Sequence, residues 1–241
     1  MKATATEVKN NLGKYLKIAE KEDIVITKNG KEIACLSKYD PDSKNKYLLC
    51  ESSSKYSSGP FIEGTYEEYT RLVVDSQNRY EYINGVIYLL ASPTHHHQLV
   101  SSHIYATFFN WFKGKECKPF YAPYDVHISI GNEKNTVQPD ILVICDHDKV
   151  DKKGIYHGIP SLVVEVLSPS TKDKDMIAKL ELYMKGGIGE YWIVDPGNHE
   201  VLVYTFRDKS IDRVRTFKGK DTVHSGVFKN LSVALSDIFV A

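Results

Sequence analysis

The chain has 241 residues, of which 42% are hydrophobic and 26% charged, and its 31 basic residues balance its 31 acidic residues. This length and composition are typical of a folded globular protein with one large domain, or a large domain and a small appendage. They exclude a low-complexity or disordered chain. The neutral total charge argues neither for nor against a nucleic-acid partner.

Cysteine spacing and hydropathy indicate the compartment. The four cysteines lie far apart and include no CxxC pair, which predicts neither a zinc knuckle nor a disulfide-stapled secreted scaffold. No apolar run approaches the roughly 18 residues that a membrane span needs, and no apolar segment follows the N-terminal lysine. We therefore predict a cytoplasmic protein without a membrane partner.

The first forty residues predict a helix followed by a β-hairpin. Residues 6–19 carry apolar side chains at spacings of three and four, with Thr6 as the expected N-cap and Asp23 as the expected stop. Residues 24–27 and 32–36 are rich in β-formers, and the Asn-Gly pair between them suits a tight turn. So small a segment needs a dimer partner or a docking surface to be stable.

Residues 5–12 and 26–34 resemble the N-terminal part of the Phd/YefM antitoxins. The resemblance implies a homodimer that binds operator DNA, and residues 1–46 carry a net charge of +3. Lys2, Lys9 and Asn10 would contact phosphates. Antitoxins of this family also have a C-terminal tail that wraps a toxin, and here another domain follows instead. The alternative is a surface helix and hairpin with solvated lysines.

Residues 41–60 are rich in Ser and Lys and lack apolar periodicity, which predicts a linker between a segment at 1–40 and a domain at 61–241. The domain alternates helix and strand patterns, which favours a mixed α/β fold whose central sheet is flanked by helices on both faces. We predict helices at 66–74, 97–111 and 171–185, and strands at 80–83, 86–88, 120–130, 140–145, 162–167, 191–194 and 201–206.

Three carboxylates fall in apolar strand patterns. Asp140 opens an apolar strand after Pro139, Glu165 interrupts another, and Glu81 lies in an aromatic-rich segment. A buried carboxylate is costly unless a cation pairs with it, so convergence of the three would suit Mg²⁺ or Mn²⁺. Taken singly, Glu165 could point outward, Asp140 could cap a turn, and Glu81 could pair with a surface lysine.

The spacing of Pro139-Asp140 and Glu165 resembles the core of the PD-(D/E)xK nucleases, and the surrounding motifs are similar to those of the Uma2 family across residues 62–206. The resemblance implies a restriction-endonuclease-like fold and Mg²⁺-dependent cleavage of DNA. The shared stretches are YEYING at 80–85, Ala-Ser-Pro at 91–93, His97-Gln98, QPD at 138–140, VEVLSPST at 164–171 and EYWIVDP at 190–196.

One position departs from the nuclease pattern, because Leu167 stands where many members of the superfamily carry lysine. In sequences similar to this one a lysine occurs on the following helix, which points to Lys179, with Asp175 one turn before it to orient it. In the nuclease pattern, the lysine orients the attacking water and stabilises the charge that develops on phosphorus. The alternative is an exposed ion pair between Asp175 and Lys179.

Three consecutive histidines, at positions 95–97, invite a metal interpretation. Adjacent helical residues do not share a face, so the three cannot ligate one ion from a regular helix. His97, at the family's His-Gln position, is the one predicted to lie beside the carboxylates.

The sequence therefore predicts a DNA endonuclease in which Asp140, Glu165 and Glu81 hold the metal directly or through water and Lys179 polarises the phosphate. A second hypothesis is an antitoxin-type autorepressor with a possible toxin partner, in which the nuclease-like domain is a non-catalytic scaffold. A hydrolase acting on a different substrate is a third, because a fold does not dictate its substrate.

Overall fold

The computed structural model describes residues 1–19, 22–28, 30–36, 38, 61–168 and 174–239. The chain divides into two compact units, Met1–Tyr56 and Ser57–Ala241. The predicted linker at 41–60, Asn29 of the predicted turn and the start of the helix predicted at 171 lie outside the described residues. In the part of the chain that is described, no helix is long and apolar enough to cross a membrane.

The N-terminal unit is a three-stranded sheet with two short helices. Its strands lie in the order β1-β2-β3, with β1 parallel and β3 antiparallel to β2. The hairpin pairing was predicted, whereas β1 was not. The elements are β1 (Lys2–Thr4), α1 (Ala5–Asn10), α2 (Leu12–Ala19), β2 (Ile24–Lys28) and β3 (Lys31–Leu36).

The predicted single helix at 6–19 is wrong in two details. Its N-cap is Thr4 rather than Thr6, because the Thr4 hydroxyl accepts from the Glu7 backbone N–H while the Glu7 carboxylate accepts from the Thr4 N–H. The helix is also interrupted at Asn11, whose φ of −134° lies outside the helical region. The helices and β2 still share an apolar core, formed by Ala3, Val8, Tyr15, Ala19 and Ile24.

The C-terminal unit contains most of the strands and the longest helix. Its strands are β4 (Phe61–Glu63), β5 (Tyr80–Ile83), β6 (Val86–Leu89), β7 (Lys118–Tyr121), β8 (Val126–Ile130), β9 (Glu133–Val137), β10 (Ile141–Ile144), β11 (Leu162–Val166), β12 (Glu190–Asp195), β13 (Glu200–Arg207), β14 (Ser210–Lys218), β15 (Thr222–His224) and β16 (Ser232–Ala234). Its helices are α3 (Tyr66–Asp75), α4 (His95–Phe112), α5 (Leu180–Gly186) and α6 (Leu235–Ile238), with a 3-10 turn at His147–Lys149 and a π-helical segment at Lys174–Lys179.

These strands form two larger sheets where the sequence predicted one central sheet. The six-stranded sheet has the order β14-β13-β12-β11-β10-β7, in which β11 and β12 are parallel and the other neighbours antiparallel. The five-stranded sheet has the order β4-β6-β5-β9-β8. A β15-β16 ribbon is separate from both. The fold is therefore a mixed α+β arrangement, and the predicted strands at 80–88 belong to the second sheet.

The six-stranded sheet is covered on both faces. On one face α4 packs Ile104 and Phe108 against β11 and β12, together with α6. On the other face α5 and strands β8 and β9 pack against Leu142, Val163 and Ile193. Strands buried on both faces read as continuous apolar runs, which is why 141–144 and 162–166 do so. A charged side chain within these strands, such as that of Glu165, is consequently enclosed by protein.

A tight hairpin fixes β5, the strand of Glu81. Asn84 and Gly85 both have positive φ, 49° and 83°, as the predicted Asn-Gly turn requires. The Asn84 N–H donates to the side chain of buried Asn135, and Tyr82 pairs with Thr136 of β9. This pairing brings Glu81 beside Gln138, at the end of β9.

A disulfide joins Cys117 to Cys145, with Cα atoms 4.0 Å apart. The sequence spacing predicted no such staple, so that interpretation is corrected. The antiparallel pairing of Lys118 with Ile144 puts the flanking cysteines opposite each other although 28 positions separate them in the chain. The bond ties the start of edge strand β7 to the end of β10.

Candidate active site

A cavity of about 320 Å³ opens where α4, β5, β10, β11 and the π-helical segment meet. Every residue predicted to be catalytic, metal-binding or accessory lines this cavity, and each of these elements contributes at least one of them or begins next to one. The residues in question are Glu81, His97, Asp140, Glu165, Asp175 and Lys179.

Asp140 lies immediately before β10 and reaches across to the end of β11. Its Oδ2 accepts from the Val166 backbone N–H at 2.7 Å and lies 3.0 Å from Nε2 of His97. The antiparallel pairing of Ile141 with Val164 brings the two strand ends together. Its carboxylate therefore bonds to β11 and α4 in the cavity, and the turn-capping alternative does not describe these contacts.

His97 enters the cavity from the first turn of α4, which begins after the N-cap Thr94. Burial lowers the pKa of His97, but the hydrogen bond and charge of Asp140 outweigh it, so the pKa is raised. His95 and His96 are exposed and do not line the cavity. The expectation that only one of the three histidines reaches the carboxylates agrees with this geometry.

Glu165 is buried, with 3% of the residue exposed, so the alternative in which it points outward is excluded. Its Oε1 accepts hydrogen bonds from Nζ of Lys179 and from the Tyr183 hydroxyl, both at 2.7 Å. Burial raises the pKa of Glu165 to about 8 against the opposing effect of Lys179, and the nearby carboxylates of Asp175, Asp140 and Glu81 act in the same direction as burial.

Lys179 is buried among three carboxylates. Its Nζ lies 2.7 Å from Oε1 of Glu165, 2.8 Å from Oε1 of Glu81 and 3.6 Å from Oδ1 of Asp175. Burial opposes the charged form, but Glu165 and Glu81 outweigh it and raise the pKa of the ammonium. Since Lys179 and Asp175 are each 2% exposed, the alternative of a solvent-exposed ion pair is wrong.

The backbone around Lys179 differs from the regular helix that the sequence predicted. Residues Lys174–Lys179 form a π-helical segment that continues into α5. The wider turn, with its i to i+5 spacing, is a feature that recurs at functional sites. The hydroxyl of Tyr191, on β12, donates to the Asp175 carbonyl and ties this segment to the sheet.

Glu81 is fully buried and engages two lysines rather than one surface lysine. Oε1 accepts from the Gln138 N–H at 2.9 Å and lies next to Lys179, and Oε2 accepts from Nζ of Lys174 at 2.5 Å. Burial raises the pKa of this carboxyl, but the two ammonium groups outweigh burial and lower it to about 2. Glu81 is therefore a carboxylate that holds Lys174 and Lys179 in the cavity.

Two residues of this network were not predicted. Lys174 lines the cavity with 9% of its side chain exposed, and its Nζ lies 5.5 Å from the centre of the Tyr88 ring. Tyr183 donates to Glu165, and burial raises the pKa of its phenol far enough to keep it a donor. Tyr183 follows Lys179 by four positions, so helical spacing was the signal that could have indicated it.

The donor set bears on which metal the cavity suits. Among the described residues, no group of three or more His, Cys, Asp or Glu side chains is arranged to hold a metal ion. Such a group would be needed for zinc, which takes three or four protein ligands. Mg²⁺ usually binds through one or two carboxylates and keeps waters. Asp140 and Glu165 fit that requirement, whereas the direct ligand role predicted for Glu81 stays a prediction.

The residues predicted to contact DNA lie in the N-terminal unit. Lys2 is on β1, and Lys9 and Asn10 are on α1. The side chains of Lys2 and Lys9 are exposed. Their role as phosphate contacts stays a prediction, as does the antitoxin resemblance of residues 1–40.

Comparisons with known proteins match the C-terminal unit. A family model, Uma2, described as putative restriction endonuclease, matches residues 66–236. An uncharacterized protein, slr1290, of Synechocystis sp. (strain ATCC 27184 / PCC 6803 / Kazusa) is 30% identical over 166 residues, which cover 68% of this chain and 85% of that protein.

A solved structure has the same fold. It is the crystal structure of a putative nuclease belonging to DUF820 from Anabaena variabilis ATCC 29413, with a TM-score of 0.57 and 22% identity over 68% of this chain and 91% of that one. The family match spans well over half of the chain and includes every residue that lines the cavity. The chain therefore belongs to the Uma2 family, whose members are described as putative restriction endonucleases.

Proposed function

We propose that the C-terminal unit hydrolyses phosphodiester bonds of DNA with Mg²⁺ or Mn²⁺ as its cofactor. The observation that carries this proposal is the position of Lys179, whose ammonium contacts Glu165 and Glu81 in the cavity that Asp140 also lines. A lysine in a cavity lined by Asp140 and Glu165 supports phosphodiester cleavage, because its charge can stabilise the charge that develops on a phosphate. It occurs here although Leu167 occupies the usual lysine position.

Asp140 and Glu165 would hold the metal ion. Such an ion supplies Lewis acidity and neutralises phosphate charge. The protein fixes both carboxylates before anything binds: the Val166 N–H and His97 orient Asp140, while Lys179 and Tyr183 orient Glu165. Preorganised ligands of this kind lose little freedom when a cation binds.

Lys179 would stabilise negative charge that develops on the phosphate, since a buried ammonium held in a fixed position acts strongly on such charge. Glu81 and Asp175 keep it charged and directed into the cavity. Lys174, at the same cavity and bound to Glu81, would bind a second phosphate oxygen. The two lysines therefore have the acidic partners that buried cations require.

A plasmid cleavage assay tests this function. The purified protein should nick or linearise plasmid DNA with Mg²⁺ or Mn²⁺ and not with EDTA, and Glu165→Ala should abolish cleavage. The matched control is Glu181→Ala, a half-buried glutamate on α5 that pairs with Lys185 and does not line the cavity. Absence of cleavage by the folded, metal-loaded protein would favour the scaffold hypothesis.

A second candidate function concerns the N-terminal unit. We propose that it dimerises and binds duplex DNA, which its helix-hairpin pattern and net positive charge support. Under the scaffold alternative, the protein is an autorepressor whose nuclease-like unit binds a partner such as a toxin. The network of Glu81, Asp140, Glu165 and two lysines favours catalysis, because buried charges are seldom retained without a role.

A further inference from the structure

An aromatic surface borders the cavity and is not explained by folding. Among the large hydrophobic side chains that are exposed in the described part of the chain, two are aromatic, Phe109 at 55% and Tyr121 at 61%. Both contact the ring of Tyr105, whose centroid lies 6.1 Å from that of Phe109 and 4.8 Å from that of Tyr121. We call Tyr105, Phe109 and Tyr121 the aromatic platform.

The platform adjoins the cavity at the end of β7 and shares helix α4 with it. Tyr121 ends β7 and is followed directly by Ala122 and Pro123, which line the cavity. Tyr105 and Phe109 lie on α4, whose first turn supplies His97 to the same cavity. Tyr121 also pairs with Ile141, the residue after Asp140. Ligand that leaves the cavity past Ala122 would therefore meet the Tyr121 ring.

Positive charge lies at the far end of the platform. The turn from α4 to β7 and the first residue of β7 carry three exposed lysines, Lys113, Lys115 and Lys118, against one acid, Glu116. In the described residues none of these lysines forms an ion pair with an acidic side chain; Lys115 lies over the Trp111 ring and Lys118 donates to a backbone carbonyl. Side chains alternate along a strand, so Lys118 and Tyr121 leave β7 on opposite faces. Lys113 and Lys118 nevertheless line one surface pocket together with Phe109, which brings positive charge next to that ring.

Exposed rings followed by lysines have the chemistry of a surface for unpaired nucleotides. Bases within a duplex stack on each other, so an aromatic side chain can stack on a base only where the strand is unpaired. Lysines beyond the rings would neutralise the phosphates of the same strand. Because β7 is an edge strand, a second copy of the chain is the competing occupant, but pairing between edges does not require rings or lysines.

We infer that the aromatic platform binds the bases of a single-stranded segment adjoining the cleaved phosphate, so that the preferred substrate is single-stranded nucleic acid or a duplex with an unpaired end. This inference extends the proposed nuclease function to a substrate class. It concerns binding, however, and can be tested without any cleavage.

The test is fluorescence anisotropy of a labelled single strand of about 20 nucleotides, bound to the full chain in EDTA. Excess unlabelled duplex occupies any duplex-binding surface of the N-terminal unit. Tyr121→Ala should weaken binding about tenfold, in keeping with the loss of one stacked base, and Tyr121→Phe should retain it. Ile211→Ala is the matched control, because Ile211 is exposed on β14, the opposite edge of the same sheet.

Two results would overturn the inference. One is single-strand binding that Tyr121→Ala leaves unchanged. The other is sedimentation velocity in which Tyr121→Ala dissociates an oligomer while binding stays the same, since the platform would then be a contact between copies. A protein that binds the strand through Tyr121 but never cleaves it would contradict the proposed nuclease function and leave the binding surface standing.

Discussion

The Nζ atom of Lys179 lies 2.7 Å from Oε1 of Glu165, although the two residues are separated by 14 positions and belong to different elements. If a lysine stood two residues after Glu165, the strand itself would fix the distance between its ammonium and the Glu165 carboxylate. Here the π-helical segment and the Glu81 carboxylate fix it. The ammonium of Lys179 therefore reaches Glu165 and Glu81 from a helical segment, although Leu167 occupies the usual lysine position.

A metal ion should stabilise the folded protein. Millimolar Mg²⁺ or Mn²⁺ should raise the melting temperature, because a ligand that binds only the folded state shifts unfolding by mass action. Asp140→Asn should remove most of this shift, since it removes one of the two proposed ligands. Differential scanning fluorimetry measures it, with Asp148→Asn, a substitution at an exposed aspartate, as control. A melting curve that metal does not change would contradict a metal site.

Metal affinity should increase with pH. The pKa of Glu165 is raised to about 8 by burial and neighbouring carboxylates, so protons compete with the metal below that pH and binding releases a proton. Isothermal titration with Mn²⁺ at pH values from about 6 to 8 should show steadily tighter binding. Affinity that is constant over this range would contradict a protonated Glu165 in the metal-free cavity.

The carboxyl group of Glu165 should also limit the stability of the metal-free protein at high pH. An acid whose folded pKa exceeds its ordinary 4.5 stabilises the fold below 4.5, and this contribution is lost as pH rises through the folded pKa. Glu165→Gln should therefore differ little from wild type at about pH 5 and melt at a higher temperature at about pH 8. A difference that does not change with pH would argue that Glu165 is ionised throughout.

Tyr183 should act by positioning Glu165. Tyr183→Phe keeps the buried ring and removes the hydroxyl that donates to Oε1, so the pKa of Glu165 should rise further. The pH at which Mn²⁺ binds half-maximally should then move upward, with little loss of melting temperature. Tyr204→Phe, outside the cavity, is the control. An unshifted pH profile would leave Tyr183 with a packing role.

The N-terminal unit should bind duplex DNA in a salt-dependent manner. Replacing Lys2 and Lys9 with alanine in the full chain should weaken retardation of the protein's own promoter fragment and reduce the slope of affinity against salt, because fewer counterions are released. Lys152 and Lys153, exposed in the other unit, provide a matched double substitution. Equal binding by both double variants would contradict the antitoxin-like role.

The sequence predicted most of the elements that position the cavity, because its signals are local. The Asn84-Gly85 pair indicates a tight turn because both residues readily adopt positive φ, as they do in the structure. The apolar runs at β10 and β11 indicate buried strands. The acidic residues of the site were identified because a carboxylate in or beside an apolar run is costly unless a cation pairs with it. The short strand β1 and the interruption at Asn11 were missed, since neither changes the apolar pattern.

What the sequence could not predict depends on contacts distant in the chain. The Cys117–Cys145 disulfide follows from the register of β7 on β10, and Lys174 meets Glu81 across 93 positions. Local periodicity carries no information about such pairings. The burial of Lys179 was also undetermined, because the i, i+4 spacing from Asp175 is the same in an exposed pair.

The most direct measurement is the single-turnover cleavage rate of Lys179→Gln at saturating Mn²⁺. Gln keeps most of the side-chain volume and removes the charge, so the folded protein should still bind Mn²⁺, at least as tightly as wild type because a competing cation is gone. The melting temperature without metal should fall, since three buried carboxylates lose their shared partner. Lys185→Gln, at an exposed lysine of α5, is the control.

We predict that Lys179→Gln slows cleavage by orders of magnitude while Lys185→Gln cleaves at the wild-type rate, because the Lys179 charge acts mainly in the transition state. If the folded, metal-bound Lys179→Gln variant cleaves DNA as fast as wild type, Lys179 is a structural counter-ion of Glu165 and Glu81, and its proposed role in catalysis is contradicted.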